Sequence, residues 1–181
     1  MSLLKAVLEA NDGGAVEALA QNFGLSNAQT GAAVAKLLPA LTAGMKNNVA
    51  KEGGLESLLG ALGKGKHEQY VDQPTKLSEP SAITDGNKIL GHLLGSKATS
   101  RQVASEAAAS TGIDSSILKK MLPMIAGLAM GSLSKQSSGG ELAGMLGGGT
   151  AKAGGLLSGF LDADGDGSVA DDILGMAKKL F

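Results

Sequence analysis

Along most of the chain, apolar residues recur every three or four positions, and glycines interrupt the pattern at intervals. That period predicts amphipathic helices rather than strands. The stretch "VEALAQNFG" from Val16 ends at Gly24, and "VASEAAASTG" from Val103 ends at Gly112. Glycine accepts the left-handed conformation that closes a helix. Ser26 and Asp114 follow, each placed to accept backbone N–H bonds as the N-cap of a second helix. That helix contains Pro39 in one stretch and Pro123 in the other, so a kink or a break is expected at each. A Gly-Gly pair then precedes a short helix with Leu55, Leu58 and Leu59, or with Leu142, Met145 and Leu146.

The shared order of parts reads as an internal repeat. "LLPALTAGM" aligns with "MLPMIAGLAM", and "GGLESLLGALG" with "GGELAGMLGGG"; the first copy holds one extra helical turn ahead of its proline. Between the copies lies "KGKHEQYVDQPTKLSEPSAITDG", polar and interrupted by Pro74 and Pro80. It reads as a loop or extended linker across the surface. Ile89, Leu90, Leu93 and Leu94 then predict a helix from near Asp85. Thr99 or Ser100 would cap the next helix, whose apolar positions are Val103, Ala104, Ala107 and Ala108. "GGGTAKAGG" from Gly147 reads as a flexible joint. The expected class is therefore all-α, with two related bundles of short helices. The expected division is an N-terminal helical half over 1–63, a linker over 64–86, a repeat-related half over 87–147, and a joint with an acidic terminal element over 148–181.

Composition changes this picture in one respect. Hydrophobic residues make up 43% of the chain but aromatics only 2%, so the core must be built from Leu, Ala, Ile, Val and seven Met. Small side chains let helices approach closely, and they leave thin cores that lean on a partner. A homo-oligomer or a protein partner is the expectation. The formal charge of −1 gives no basic face for generic phosphate binding. The absence of cysteine removes disulfides, thiolate metal sites and a cysteine nucleophile. "MSLLKAVLEANDGG" has no basic n-region, and Glu9 and Asp12 interrupt its apolar stretch, so it does not read as a signal peptide and a cytoplasmic location is expected. The longest apolar run, "MLPMIAGLAMGSL" from Met121, is too short to span a bilayer.

The sharpest chemical signal is "FLDADGDGSVADDILGMAKKLF", from Phe160 to Phe181. Asp162, Asp164 and Asp166 take positions one, three and five of a DxDxDG loop, Gly167 the tight turn, and Ser168 the backbone-carbonyl position seven. Val169 is the apolar pin, and helical patterns flank the loop on both sides. Alternating carboxylates around a glycine turn suit calcium, which takes six to eight oxygens, with magnesium as the alternative ion. Aspartates at a helix N-terminus also complement its dipole, but capping alone does not require the strict alternation. An EF-hand loop has Glu at position twelve; here that residue is Ile173, and Asp171 and Asp172 are the acids within reach.

Other motifs carry less. His67 and His92 are far apart and lack the partners of a zinc site. No nucleophile elbow or phosphate loop occurs, so an enzyme is not expected. "AASTGIDSSIL" has helix-turn-helix spacing at Ala108, Gly112 and Leu118, with Arg101, Lys119 and Lys120 as candidate nucleic-acid contacts. A base-reading helix wants a richer polar and basic face, so a plain helical corner is the simpler reading.

Two resemblances add to this. The acidic loop resembles the shortened EF-hand-like loops of bacterial proteins, the Excalibur type among them, whose closing acid sits at position ten; this implies Asp171 as the last ligand. "DGNKILGHLLGSK", "VASEAAASTGIDSSILKKMLPMIAGLAMG" and the "LDADGDGSVADDILG" ending resemble a bacterial family of unassigned function, domain-of-unknown-function family 937, with YidB-like proteins as relatives. The resemblance implies a homeodomain-like arrangement of helices and brings no catalytic residues. The expected function is a non-enzymatic binding or assembly protein that self-associates and holds a structural calcium ion. The alternative is a nucleic-acid-associated regulator using residues 103–130.

Overall fold

The computed structural model describes residues 2–64 and 66–138. Among them are eight α-helices, one 3-10 turn and no strand, so the all-α expectation holds. The helices are α1 (Leu3–Leu8), α2 (Gly14–Phe23), α3 (Asn27–Val49), α4 (Gly54–Lys64), α5 (Gln69–Asp72), α6 (Pro80–Leu94), α7 (Lys97–Thr111) and α8 (Ser115–Ser138); the 3-10 turn is Pro74–Ser78. The acidic loop and the repeat-related end of the second stretch lie outside the described residues.

The terminators work as their chemistry dictates. Gly24 and Gly112 close α2 and α7 at φ of 64° and 71°, a region that costs a side chain but not glycine. Ser26 and Gln29 form a reciprocal capping box at the start of α3: the Gln29 N–H donates to Ser26 Oγ at 3.1 Å, and the Ser26 N–H to Gln29 Oε1 at 3.0 Å. Asp114 Oδ1 accepts from the Ser116 N–H at 2.7 Å at the start of α8. Hydrogen bonding from Ser116 holds the Asp114 carboxyl below its usual pKa.

Three expectations are corrected. Ser96, rather than Thr99 or Ser100, caps α7, its hydroxyl accepting from the Thr99 N–H at 3.1 Å. Neither proline divides its helix: α3 runs through Pro39 and α8 through Pro123. An interior proline costs about 3 kcal/mol; buried Leu37, Leu38 and Leu41 around one, and Leu122 and Ile125 around the other, hold both helices together. Finally, the polar stretch between the two halves is neither extended nor superficial. It folds into α5, the 3-10 turn and the start of α6, and it buries Tyr70, Val71, Pro74 and Leu77. Pro74 and Pro80 stand in the first turn of their elements. There the missing N–H would have no helical partner anyway, so proline starts a helix at no cost.

One hydrophobic cluster runs from Leu3 in α1 to Leu133 in α8 and takes residues from both halves. Its centre is α8, against which α1 to α7 all pack. Every residue of α8 from Met121 to Ser134 is buried. A helix apolar all round belongs in an interior or in a membrane. By length and composition Ser115–Gln136 would also suffice to cross a bilayer, longer than the run read from sequence, and 78% of it is buried in this fold.

Glycines set how closely the layers approach. A methyl at Gly86 of α6 would lie 2.0 Å from the Pro123 carbonyl oxygen of α8. At Gly44 of α3 it would lie 2.3 Å from the Leu93 carbonyl oxygen, and at Gly131 of α8 2.4 Å from that of His67. By contrast, a methyl at Gly31, Gly60 or Gly91 would meet nothing within 4 Å. Two opposite outcomes follow. Gly86→Ala is expected to destabilise by about 1–3 kcal/mol, because backbone must move to admit the methyl. Gly31→Ala is expected to stabilise by up to about 1 kcal/mol, the propensity difference in a helix interior. Urea unfolding of both variants checks the pair; equal effects would contradict this account of the packing.

Candidate functional site

Two features of the described residues have chemistry beyond packing. The first is a polar seam where α5 lies across the second half of α8. The Tyr70 ring packs over Gly127, and its hydroxyl donates to Asp85 Oδ2 of α6 at 3.3 Å. Burial, and then the Asp85 charge, push the Tyr70 pKa above its ordinary value, so the hydroxyl stays a donor. Half-buried His67 precedes α5, with its ring centroid 6.1 Å from that of Tyr70. Burial pulls the His67 pKa down, against a smaller opposing pull from Asp85. The buried Ser134 hydroxyl lies 3.1 Å from Glu68 Oε1 and 3.4 Å from the Leu62 carbonyl. Lys135 pairs with Asp72 at the surface. Together these contacts fasten the segment from Leu62 to Asp72 onto α8.

The second feature is an apolar groove of about 200 Å³ between the end of α3, α4 and the end of α6, with Met130 of α8 at its base. Met45, Leu58, Ile89 and Leu93 supply most of its wall, and Asn48, Ser57 and His92 its polar atoms. Asn48 Nδ2 donates to the His92 carbonyl at 3.1 Å and so ties α3 to α6 across one side. That bond uses the His92 backbone carbonyl, and the residue itself is exposed. Sequence reasoning did not find this groove. Its lining is spread from Met45 in α3 to Met130 in α8, and each apolar lining residue alone reads as ordinary core.

The sequence-derived candidates fall as follows. Arg101 lies near the start of α7, and Lys119 and Lys120 in the second turn of α8; all three are exposed. Beyond Lys120 the would-be recognition helix enters the core, because Met121 to Ser134 are all buried. The proposed calcium ligands Asp162, Asp164, Asp166, Ser168 and Asp171 lie outside the described residues. Among the described residues no group of three or more His, Cys, Asp or Glu side chains is arranged to hold a metal ion.

The seam yields a pH dependence. A histidine whose folded pKa is depressed leaves the unfolded chain binding more protons, so its contribution to stability rises with pH. That contribution is complete above the ordinary histidine value of 6.5 and is lost as pH falls through the lower folded value. Stability is therefore expected to decline from pH 7.5 toward pH 5.5, and His67→Gln to flatten that part of the curve. Urea midpoints of both proteins across this range check it; parallel curves would refute it.

No curated protein and no solved structure matches the chain at a significant level. A family model does match, described as a bacterial protein of unknown function (DUF937), and it covers residues 6–136. That range spans α2 to α7 complete, with half of α1 and nearly all of α8, so the matched unit coincides with the helical cluster built around the buried helix. The chain belongs to this bacterial family of unknown function, DUF937.

Proposed function

We propose that this protein is a non-enzymatic binding and assembly protein that self-associates and holds a structural calcium ion in its acidic loop. The observation behind the metal is the spacing of Asp162, Asp164 and Asp166 around Gly165 and Gly167, with Ser168 and Asp171 completing an oxygen shell. Three carboxylates this close repel one another unless a cation neutralises them. The observation behind binding is the apolar groove, whose wall of Met, Leu and Ile side chains suits an apolar partner rather than a charged substrate. Kinship with YidB-like proteins and a cytoplasmic location belong to the same reading and rest on the sequence motifs alone. The internal repeat does too, supported by the parallel order of α2, Gly24 and α3 with α7, Gly112 and α8.

The nucleic-acid reading keeps three exposed cations, Arg101, Lys119 and Lys120. It ranks second because a recognition helix must offer a face to the groove, and most of α8 has none to offer.

Calorimetric titration of the metal-stripped full chain tests the calcium site. Binding near one equivalent is expected, and its loss in an Asp164→Ala, Asp166→Ala double variant. No heat with calcium or magnesium would remove the metal from the proposal. Sedimentation equilibrium of the same samples tests assembly: a mass above the 17.9 kDa monomer is expected. A monomer at all concentrations, with and without calcium, would overturn self-association.

A further inference from the structure

We propose that the groove between α3, α4 and α6 is the docking site for this chain's own segment Val169–Phe181. The argument begins with size. An apolar cavity of about 150 Å³ takes up a benzene ring, whereas sites for drug-sized ligands start near 300 Å³. A groove of about 200 Å³ is therefore matched to one phenyl or leucyl side chain with its immediate neighbours. Its wall includes Met45 and Met130, flexible side chains that re-pack around an inserted group.

The segment that closes the acidic loop and runs on to Phe181 offers such groups. Val169, Ile173, Ala177 and Leu180 recur at helical spacing, with Phe181 beside them, while Asp171, Asp172, Lys178 and Lys179 fall elsewhere on the same helical wheel. An amphipathic helix that lays such a stripe into an apolar groove is a common recognition mode. Connectivity permits it. Met130 lines the groove, and eight more residues carry α8 to Ser138, about 12 Å further on. Thirty residues, 139–168, separate Ser138 from Val169, more chain than a return of that length requires.

Tethering decides between this segment and a second copy. A linked segment acts at an effective concentration on the order of millimolar, far above that of a second molecule in a micromolar solution.

The chain has no cysteine, so paired substitutions report proximity directly. The test uses the full chain with Ser57→Cys and Ala177→Cys, against a control with Ser105→Cys on the exposed face of α7 and Ala177→Cys. Both are oxidised at low micromolar concentration, in saturating calcium and again in chelator. An intramolecular disulfide forming at least tenfold faster than in the control, under either condition, is expected. Equal rates under both conditions would overturn the proposal, and so would preferential cross-linked dimers, which would assign the groove to a second copy. Methyl NMR of the otherwise native chain gives an independent reading. Ile173→Ser is expected to move the Met45 and Met130 methyl resonances and leave that of Met121, deep in the core, in place. Unmoved Met45 and Met130 resonances would also overturn the proposal.

Discussion

Burial of α8 on every side is the constraint that the rest of the fold obeys. From Met121 to Ser134 the helix exposes no residue, so neighbours must cover its whole circumference. All seven other helices do so, and they come from both ends of the described chain. With a single buried aromatic among the described residues, Tyr70, available to fill space, the cover must come close rather than reach in with large side chains. Gly86 against the Pro123 carbonyl and Gly131 against the His67 carbonyl show how this is done: backbone meets backbone where a methyl would not fit. The same approach aims Cα hydrogens at carbonyl oxygens, a weak but recurrent attraction at helix crossings. Gly44 repeats the device between α3 and α6, one layer further out.

This constraint also explains why the middle of the chain folds as it does. A surface linker would leave the second half of α8 open near Gly127 and Gly131. Instead Tyr70, Val71 and Leu77 close that side, and the polar seam of Asp85, Glu68 and Ser134 satisfies the groups that burial brings with them. Polar residues in this stretch are thus the outer face of a covering element. The exposed pair of Lys135 and Asp72 adds little by comparison, since surface ion pairs contribute about 0–1 kcal/mol.

Much of the helical skeleton was legible because caps and glycines act locally. Gly24, Ser26, Gly112 and Asp114 each did what residue type and position predicted, and needed no knowledge of the tertiary fold. The errors arose where tertiary packing outweighs local preference. Pro39 and Pro123 should weaken their helices, but apolar burial on both sides of each exceeds the cost of a missing hydrogen bond. Pro74 and Pro80 were read as breakers, whereas at a first turn the same rigid ring favours the helix. The cap of α7 was misplaced by three or four residues because Ser96, Thr99 and Ser100 all bear suitable hydroxyls, and only the geometry around Gly95 selects the first. The groove was illegible for a different reason: no pattern in sequence brings Met45, Leu58, Ile89 and Met130 together.

What the fold consumes and what it leaves over can then be separated. Leu, Met and Ala side chains at the α8 crossings, the close-contact glycines and the capping hydroxyls are all spent on the helical cluster. The groove beside Met130 is not spent: Ala61 stands in its wall where a larger side chain would narrow it. An apolar hollow left in a protein otherwise packed backbone to backbone costs stability for every unfilled volume. Such a cost is sustained most simply if something else fills the hollow. That leaves the groove, rather than the polar seam that fastens α5 to α8, as the hollow that the proposed docking of Val169–Phe181 would fill.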